Sequence, residues 1–132
     1  MADLLGDRAI RTLRYALDGL SLRQQAIADN VANLNTPGYK AARVSFEQQL
    51  QEELKRGGPM APAPPSPGSS PAVDQPRVTV TRDQRRTMRL DGNNVDIDWE
   101  MAKLAETVIN YNTVSELVSL KLAILKNVIS SR

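Results

Sequence analysis

The sequence has no cysteine and no histidine, and aromatic side chains are confined to Tyr15, Tyr39, Phe46, Trp99 and Tyr111. Lacking cysteine, it offers no disulfide framework, no thiolate nucleophile and no zinc–thiolate site. Lacking histidine, it offers no imidazole base, no Ser-His-Asp triad and no imidazole-ligated metal. Only carboxylate, Lys or Ser/Thr chemistry is left. The absence of cysteine fixes no redox compartment. Long apolar runs are also missing: no stretch approaches the ~20 residues that span a bilayer, so no direct membrane insertion is expected. Met1-Ala2-Asp3 is acidic where a secretory leader is basic, and no apolar segment follows, so no cleaved signal peptide is expected. Proline is scarce outside one segment, since seven of the eight fall between Pro59 and Pro76.

What is present is an ordinary globular composition, 41% hydrophobic and 24% charged over 132 residues with a net charge of +2. That charge is too small to announce a nucleic-acid partner by itself. Apolar side chains at Ile10, Leu13, Leu17, Leu20, Ile27, Val31 and Leu34 alternate steps of three and four, with Gln24 in the one polar slot. This a/d seam predicts a helix over residues 7–34, about 40 Å long at ~1.5 Å per residue, with Asp7 as its N-cap. Thr36-Pro37 forces extended geometry at its end. Pro37-Gly38 suits the centre of a type II turn, and Asn33 and Asn35 tolerate a left-handed cap.

Phe46, Leu50 and Leu54 suggest a short helix over 46–54. Residues 57–76 hold many prolines and almost nothing bulky to bury, and read as a disordered or polyproline-type insertion. Val78-Thr79-Val80-Thr81 alternates as a strand does, and residues 87–90 offer a second, giving a small β-hairpin. Asp91-Gly92-Asn93-Asn94 then forms a turn, with Asp96 capping a second long helix and Asp98 and Glu100 favoured in its first turn.

The second helix carries Ile97, Met101, Leu104, Val108, Tyr111, Val118, Leu122, Leu125 and Ile129, interrupted by Ser115. This is another heptad seam, about 50 Å long at the same rise. Beside it, Leu117, Leu120, Ile124 and Val128 make a further apolar stripe. One partner helix covers one stripe, so the second is expected to be an assembly interface. At about 1.5–3 kcal/mol per fully buried aliphatic side chain, it can supply several kcal/mol to association before entropy costs.

No catalytic constellation, cofactor-binding motif or metal site emerges. The segment from Asp91 to Asp98 is rich in oxygen ligands but fails as a calcium loop: Val95 stands where a ligand is needed, Asp96 where glycine is needed, and Ala102 at the closing position. Arg77, Arg82, Arg85, Arg86 and Arg89 against Asp83 alone form a local basic run, which leaves a phosphate- or nucleic-acid-binding helical module as the alternative function. The run has no aromatic for base stacking and no nucleic-acid motif, so no nucleic acid is expected as a partner. A carboxylate-dependent hydrolase would need a pocket holding a perturbed carboxylate.

The segment Asn30-Val31-Ala32-Asn33-Leu34-Asn35-Thr36-Pro37-Gly38-Tyr39-Lys40, following a long heptad helix, resembles the N-terminal signature of bacterial flagellar axial proteins. Asp91-Gly92-Asn93-Asn94-Val95-Asp96-Ile97-Asp98, followed by Glu100-Met101-Ala102 and Leu104-Ala105-Glu106, looks like the FlgB family of proximal rod proteins within that group. The resemblance covers roughly residues 7–50 and 88–130.

It implies a mainly α, elongated fold in which the terminal helices form an antiparallel two-helix coiled coil, and a structural subunit with no enzymatic activity. The implied divisions are an N-terminal helix (1–35), a Thr-Pro-Gly-Tyr turn and arm (36–56), the Pro-rich insertion (57–76), short strands and a turn (77–95), and a C-terminal helix (96–132). Asn30, Asn33, Thr36, Pro37, Gly38 and Tyr39 would set the junction between helix and arm; Asp91, Gly92, Asn93, Val95 and Asp96 form the second motif. The implied partners are other rod subunits, copies of itself, the adaptor joining membrane ring to rod, and the flagellar type III export apparatus. The implied location is the periplasmic part of the flagellar basal body.

Overall fold

A computed structural model of the chain describes residues 7–56, 78–84 and 89–131. The elements in order are α1 (Asp7–Ala32), β1 (Ala42–Ser45), α2 (Glu47–Arg56), β2 (Thr79–Arg82) and α3 (Ile97–Ser130). The protein is mainly helical, with long helices near both ends and one two-stranded sheet. The Pro-rich insertion expected at 57–76 lies outside the described residues.

α1 packs along α3, and β1 packs against α1. The end of α1 meets the beginning of α3, where Asn30 donates to Glu100. Tyr111 and Val114, further along α3, pack on the cluster holding Tyr15 and Leu20, so the two helices run antiparallel. The seam of α1 faces inward as its spacing requires: Leu20 and Ile27 are buried, and Ile10, Leu13, Leu17, Gln24, Val31 and Leu34 are half-buried.

Three expectations need correction. The first helix ends at Ala32, two residues before the expected Leu34; the residues before Asp7, which would test it as the cap, lie outside those described. The amides of Asn33, Leu34 and Thr36 turn back onto Asp29, Val31 and Asn33 carbonyls, and the Asn33 side chain also donates to the Asp29 carbonyl at 2.8 Å. Side chain and turn therefore compete with the helix for its last carbonyls. Second, no non-glycine residue among those described has positive φ, so Asn33 and Asn35 are not left-handed. That conformation falls on Gly38 (φ 72°), and the Tyr39 amide donates to Thr36 as a type II turn demands.

Third, the strand over 78–81 exists as β2, but its partner is β1. The pair is antiparallel with Ala42 opposite Arg82 and Ser45 opposite Thr79. Of the other expected strand, Arg89 and Leu90 lie in a turn, while Thr87 and Met88 lie outside the described residues. β1 wins because its alternate side chains, Ala42 and Val44, are buried on α1, whereas β2 is exposed throughout. A strand that buries one face gains more than one pairing in solvent.

The core is Tyr15, Leu20, Ala26, Ala42, Val44 and Phe46. Phe46 meets Tyr15 edge to face at 6.2 Å between centroids, and its ring lies directly over Gly19 of α1. A β-carbon at Gly19 would stand 2.6 Å from the ring, so only glycine allows this approach. α2 begins directly after Phe46 over 47–56, matching the short helix expected there.

Candidate functional site

The two motif segments, some sixty residues apart in sequence, interlock at the end of α1. The last turn of any helix leaves carbonyls without intrahelical partners. Just past that last turn, the Asn93 carboxamide points its two hydrogens at three carbonyls of the turn that follows α1: Asn33 at 2.9 Å, Leu34 at 3.1 Å and Thr36 at 2.8 Å. Its oxygen accepts from the Val95 amide at 2.8 Å, and Asn93 is fully buried. Arg89 adds a further donor to the Leu34 carbonyl at 2.9 Å. The backbones also join, the Gly38 amide donating to Asp91 at 2.8 Å. Gly92 also has positive φ (78°) and faces Gly38 closely enough that a β-carbon there would touch its α-carbon.

Asn30 forms the second half of the junction. Its oxygen accepts from the Ala42 amide at 2.7 Å and the Tyr39 hydroxyl at 3.2 Å, while its nitrogen donates to the Ala42 carbonyl at 2.9 Å and Glu100 at 3.1 Å. Every hydrogen-bonding position of that carboxamide is filled at zero exposure, as a buried amide requires. One side chain therefore ties α1 to the turn, to β1 and to α3.

Glu100 departs from its expected role. It is not a solvated first-turn anion but a fully buried carboxylate, paired with Arg43 of β1 and held by Asn30. The Arg43 guanidinium lies 3.9 Å from the Trp99 ring centroid, so it is sandwiched between a carboxylate and an aromatic face. Asp96 caps α3 as expected, its carboxylate accepting from the amides of Asp98 and Trp99. Val95 is buried beneath the turn, and exposed Pro37 supplies only its fixed backbone angle to the turn.

The sequence-derived junction residues Asn30, Asn33, Thr36, Gly38 and Tyr39 are thus brought against Asp91, Gly92 and Asn93. Missed were Arg43, Glu100 and Asn94. Asn94 accepts from the Ala41 amide at 2.8 Å and donates to Asp83, fixing the start of β1 to the end of β2. Glu100 carried a signal: it stands one residue before Met101 of the seam, on the side that packs inward.

On α2, burial pushes the Glu47 carboxyl upward. Hydrogen bonds from backbone amides at the helix start and from Arg23 outweigh that and leave its pKa below the ordinary 4.5. Glu47 and Arg23 rim a cleft of about 210 Å³ floored by Ile27 and Val44 and walled by Trp99. That is smaller than the ~300 Å³ at which small-molecule sites begin. Among the described residues no group of three acidic side chains could hold a metal ion, and no helix is long and apolar enough to cross a membrane. The basic run is partly absorbed by the fold: Arg82 donates to the Lys40 carbonyl and stacks over Tyr39, and Arg89 binds Leu34 and Asp91. Arg77, Arg85 and Arg86 lie outside the described residues.

α3 is only partly covered. Leu104, Tyr111, Val118 and Leu125 are half-buried, and Thr107, outside the seam, is buried with its hydroxyl donating to the Lys103 carbonyl. Met101, Val108, Leu122 and Ile129 of the seam stay exposed. The neighbouring stripe is exposed as well: Leu117 by 48%, Leu120 by 60%, Ile124 by 39% and Val128 by 60%.

Residues 10–40, covering α1 and the turn, match the family model described as flagella basal body rod protein. Over most of its length the chain is similar to curated relatives each called flagellar basal body rod protein FlgB. It is 33% identical to that of Bacillus subtilis over 121 residues, covering 92% of both chains. It is 34% identical to that of Salmonella typhimurium, covering 80% of both, and 30% identical to that of Escherichia coli K12, covering 95% of both.

Proposed function

Since the chain belongs to the FlgB family of flagellar basal body rod proteins, we propose that it builds the rod by polymerising through its terminal helices. It is a structural subunit of the proximal rod, at work in motility. The observation that carries polymerisation is the row of large aliphatic side chains left exposed on the far half of α3, beside a junction in which the Asn30 and Asn93 side chains are fully hydrogen-bonded. Rigid at one end and apolar at the other, the subunit is suited to side-by-side packing in which neighbours complete its core. Its α1–α3 pair acts as an antiparallel coiled coil within that packing.

The finer reading follows from the mechanics of such a part. The subunit joins the membrane-ring adaptor to the more distal rod and passes torque between them, meeting copies of itself and other rod subunits on surfaces that differ from one another. A heterologous contact of that kind continues as a helix instead of closing as a dimer. Export through the flagellar type III apparatus delivers it to the periplasmic side. In cells lacking their own copy, Leu120→Asp or Ile124→Asp is expected to be exported yet to leave rods unassembled and cells non-motile. Normal swarming by either variant would remove the case for a buried stripe.

A further inference from the structure

Two lines of side chains compete for the face of α3 that lies on α1. The heptad seam runs through Ile97, Met101, Leu104, Val108 and Tyr111, and its apolar content fits it for that face. The structure turns a different line inward: Glu100 and Thr107 stand in place of Met101 and Val108, sharing Leu104 and Tyr111 and continuing to Val114. Glu100 and Thr107 are buried, whereas Ile97, Met101 and Val108 stay 40%, 50% and 39% exposed. At ~100° per residue, the two lines differ by about 50° in the rotation of α3 about its axis. Polar side chains have thus displaced apolar ones from a helix contact, against the usual order of burial.

The pairing of Glu100 accounts for this rotation. Thr107 exerts no pull of its own, since its hydroxyl donates to the Lys103 carbonyl of the same helix at 2.7 Å and can do so on either side. The Glu100 carboxylate instead has its partners on other elements, Arg43 of β1 and the Asn30 side chain of α1. Arg43 is backed by the Trp99 ring, and its Nε lies 3.7 Å from an Asp83 carboxylate oxygen. A carboxylate stays buried only where its charge is compensated, so α3 must keep Glu100 turned toward Arg43. Coiled coils fix one alignment among several in the same way, with a polar group that overrides the apolar seam and lowers stability.

We propose that the Arg43–Glu100 pair is a rotational lock on α3, and that without its charge balance the helix rolls by about 50° on α1. The roll turns Glu100, Thr107 and Val114 out and brings Ile97, Met101 and Val108 in. It gives up one apolar side chain, Val114, whose place falls to Ser115, and buries three. The lock therefore keeps Ile97, Met101 and Val108 at the surface of the subunit. This inference concerns the rotation of one helix and stands apart from the reading that the chain polymerises.

Because the chain has no cysteine, single thiols at the neighbouring positions 107 and 108 report the rotation. Thr107→Cys and Val108→Cys are each made in the full chain with the native pair, with Arg43→Leu, and with Arg43→Leu/Glu100→Leu, and their alkylation rates are compared. With the native pair, the thiol at 108 is expected to react several-fold faster than the thiol at 107. Arg43→Leu strands the Glu100 charge and is expected to reverse that order, speeding reaction at 107 and slowing it at 108. Adding Glu100→Leu removes the stranded charge and is expected to restore the native order, although Trp99 and Asp83 still lack Arg43.

Faster reaction at both positions in Arg43→Leu, the native order retained there, or loss of its helical circular dichroism would each show that no rolled packing is available, and would overturn the proposal. A reversed order that Glu100→Leu leaves uncorrected would overturn it as well, because the roll would then follow from the lost packing of Arg43 and not from its charge.

Discussion

Asn93 closes the end of a helix that lies far from it in sequence. Its two amide hydrogens are shared among the Asn33, Leu34 and Thr36 carbonyls of the turn after that helix, and its oxygen serves the buried Val95 amide. Removing a buried donor costs the desolvation of the groups it leaves behind, about 1–3 kcal/mol. Asn93→Ala is therefore expected to lower stability in urea unfolding by that amount, with no change in the slope of the transition. An unchanged midpoint would mean that the Thr36 and Tyr39 amides and the Arg89 side chain, the other donors to these carbonyls, satisfy the turn without it. Asn93 and Gly38 were legible as motif residues, because turn chemistry is local. The carbonyls that Asn93 serves were not, since nothing in a tetrapeptide indicates a partner sixty residues away.

At the scale of elements, α1 and β1 are joined through Phe46 over Gly19. In a solvent-facing helix, replacing glycine with alanine gains roughly 1 kcal/mol of helix propensity. Here the added carbon meets the ring, so Gly19→Ala is expected to lose about 1–3 kcal/mol instead, read as a lowered Tm. The start of α2 supplies a pH dependence. The Glu47 pKa is lowered in the folded chain, so its stabilisation is present above the ordinary value near 4.5 and is lost as pH falls through the lower folded value. The Tm gap between wild type and Glu47→Gln should thus be present at pH 7 and shrink on acidification below 4.5; a gap that grows there would reverse the sign. The short helix was legible from Phe46, Leu50 and Leu54, whereas β1 was not. Ala-Arg-Val-Ser carries a weak strand pattern, and it became a strand because α1 offers an apolar surface to Ala42 and Val44.

At the scale of the whole molecule, the junction and the core sit toward one end of the helical pair, and the packing around the core reaches along α3 to Tyr111 and Val114. A chain ending after Glu116 should keep the near-ultraviolet signal of Trp99, whose surroundings belong to the junction, while failing to enter rods. Loss of that signal would show that the far half of α3 is needed to fold the junction as well as to assemble it. The division agrees with a subunit that is self-sufficient where its polar groups are buried and depends on neighbours where its apolar groups are not.

The sequence by itself determined the two long helices, the cap at Asp96, the turn at Pro37-Gly38 and the surplus stripe on α3, because periodicity and capping act within a few residues. It also carried the family signature. Tertiary structure alone decided that β2 pairs with β1, that Asn93 and Asn30 lock three elements together, and that Glu100 is buried against Arg43. The physical reason is the same each time: a buried polar group must find its partner wherever the fold brings one, and that choice depends on packing between distant segments.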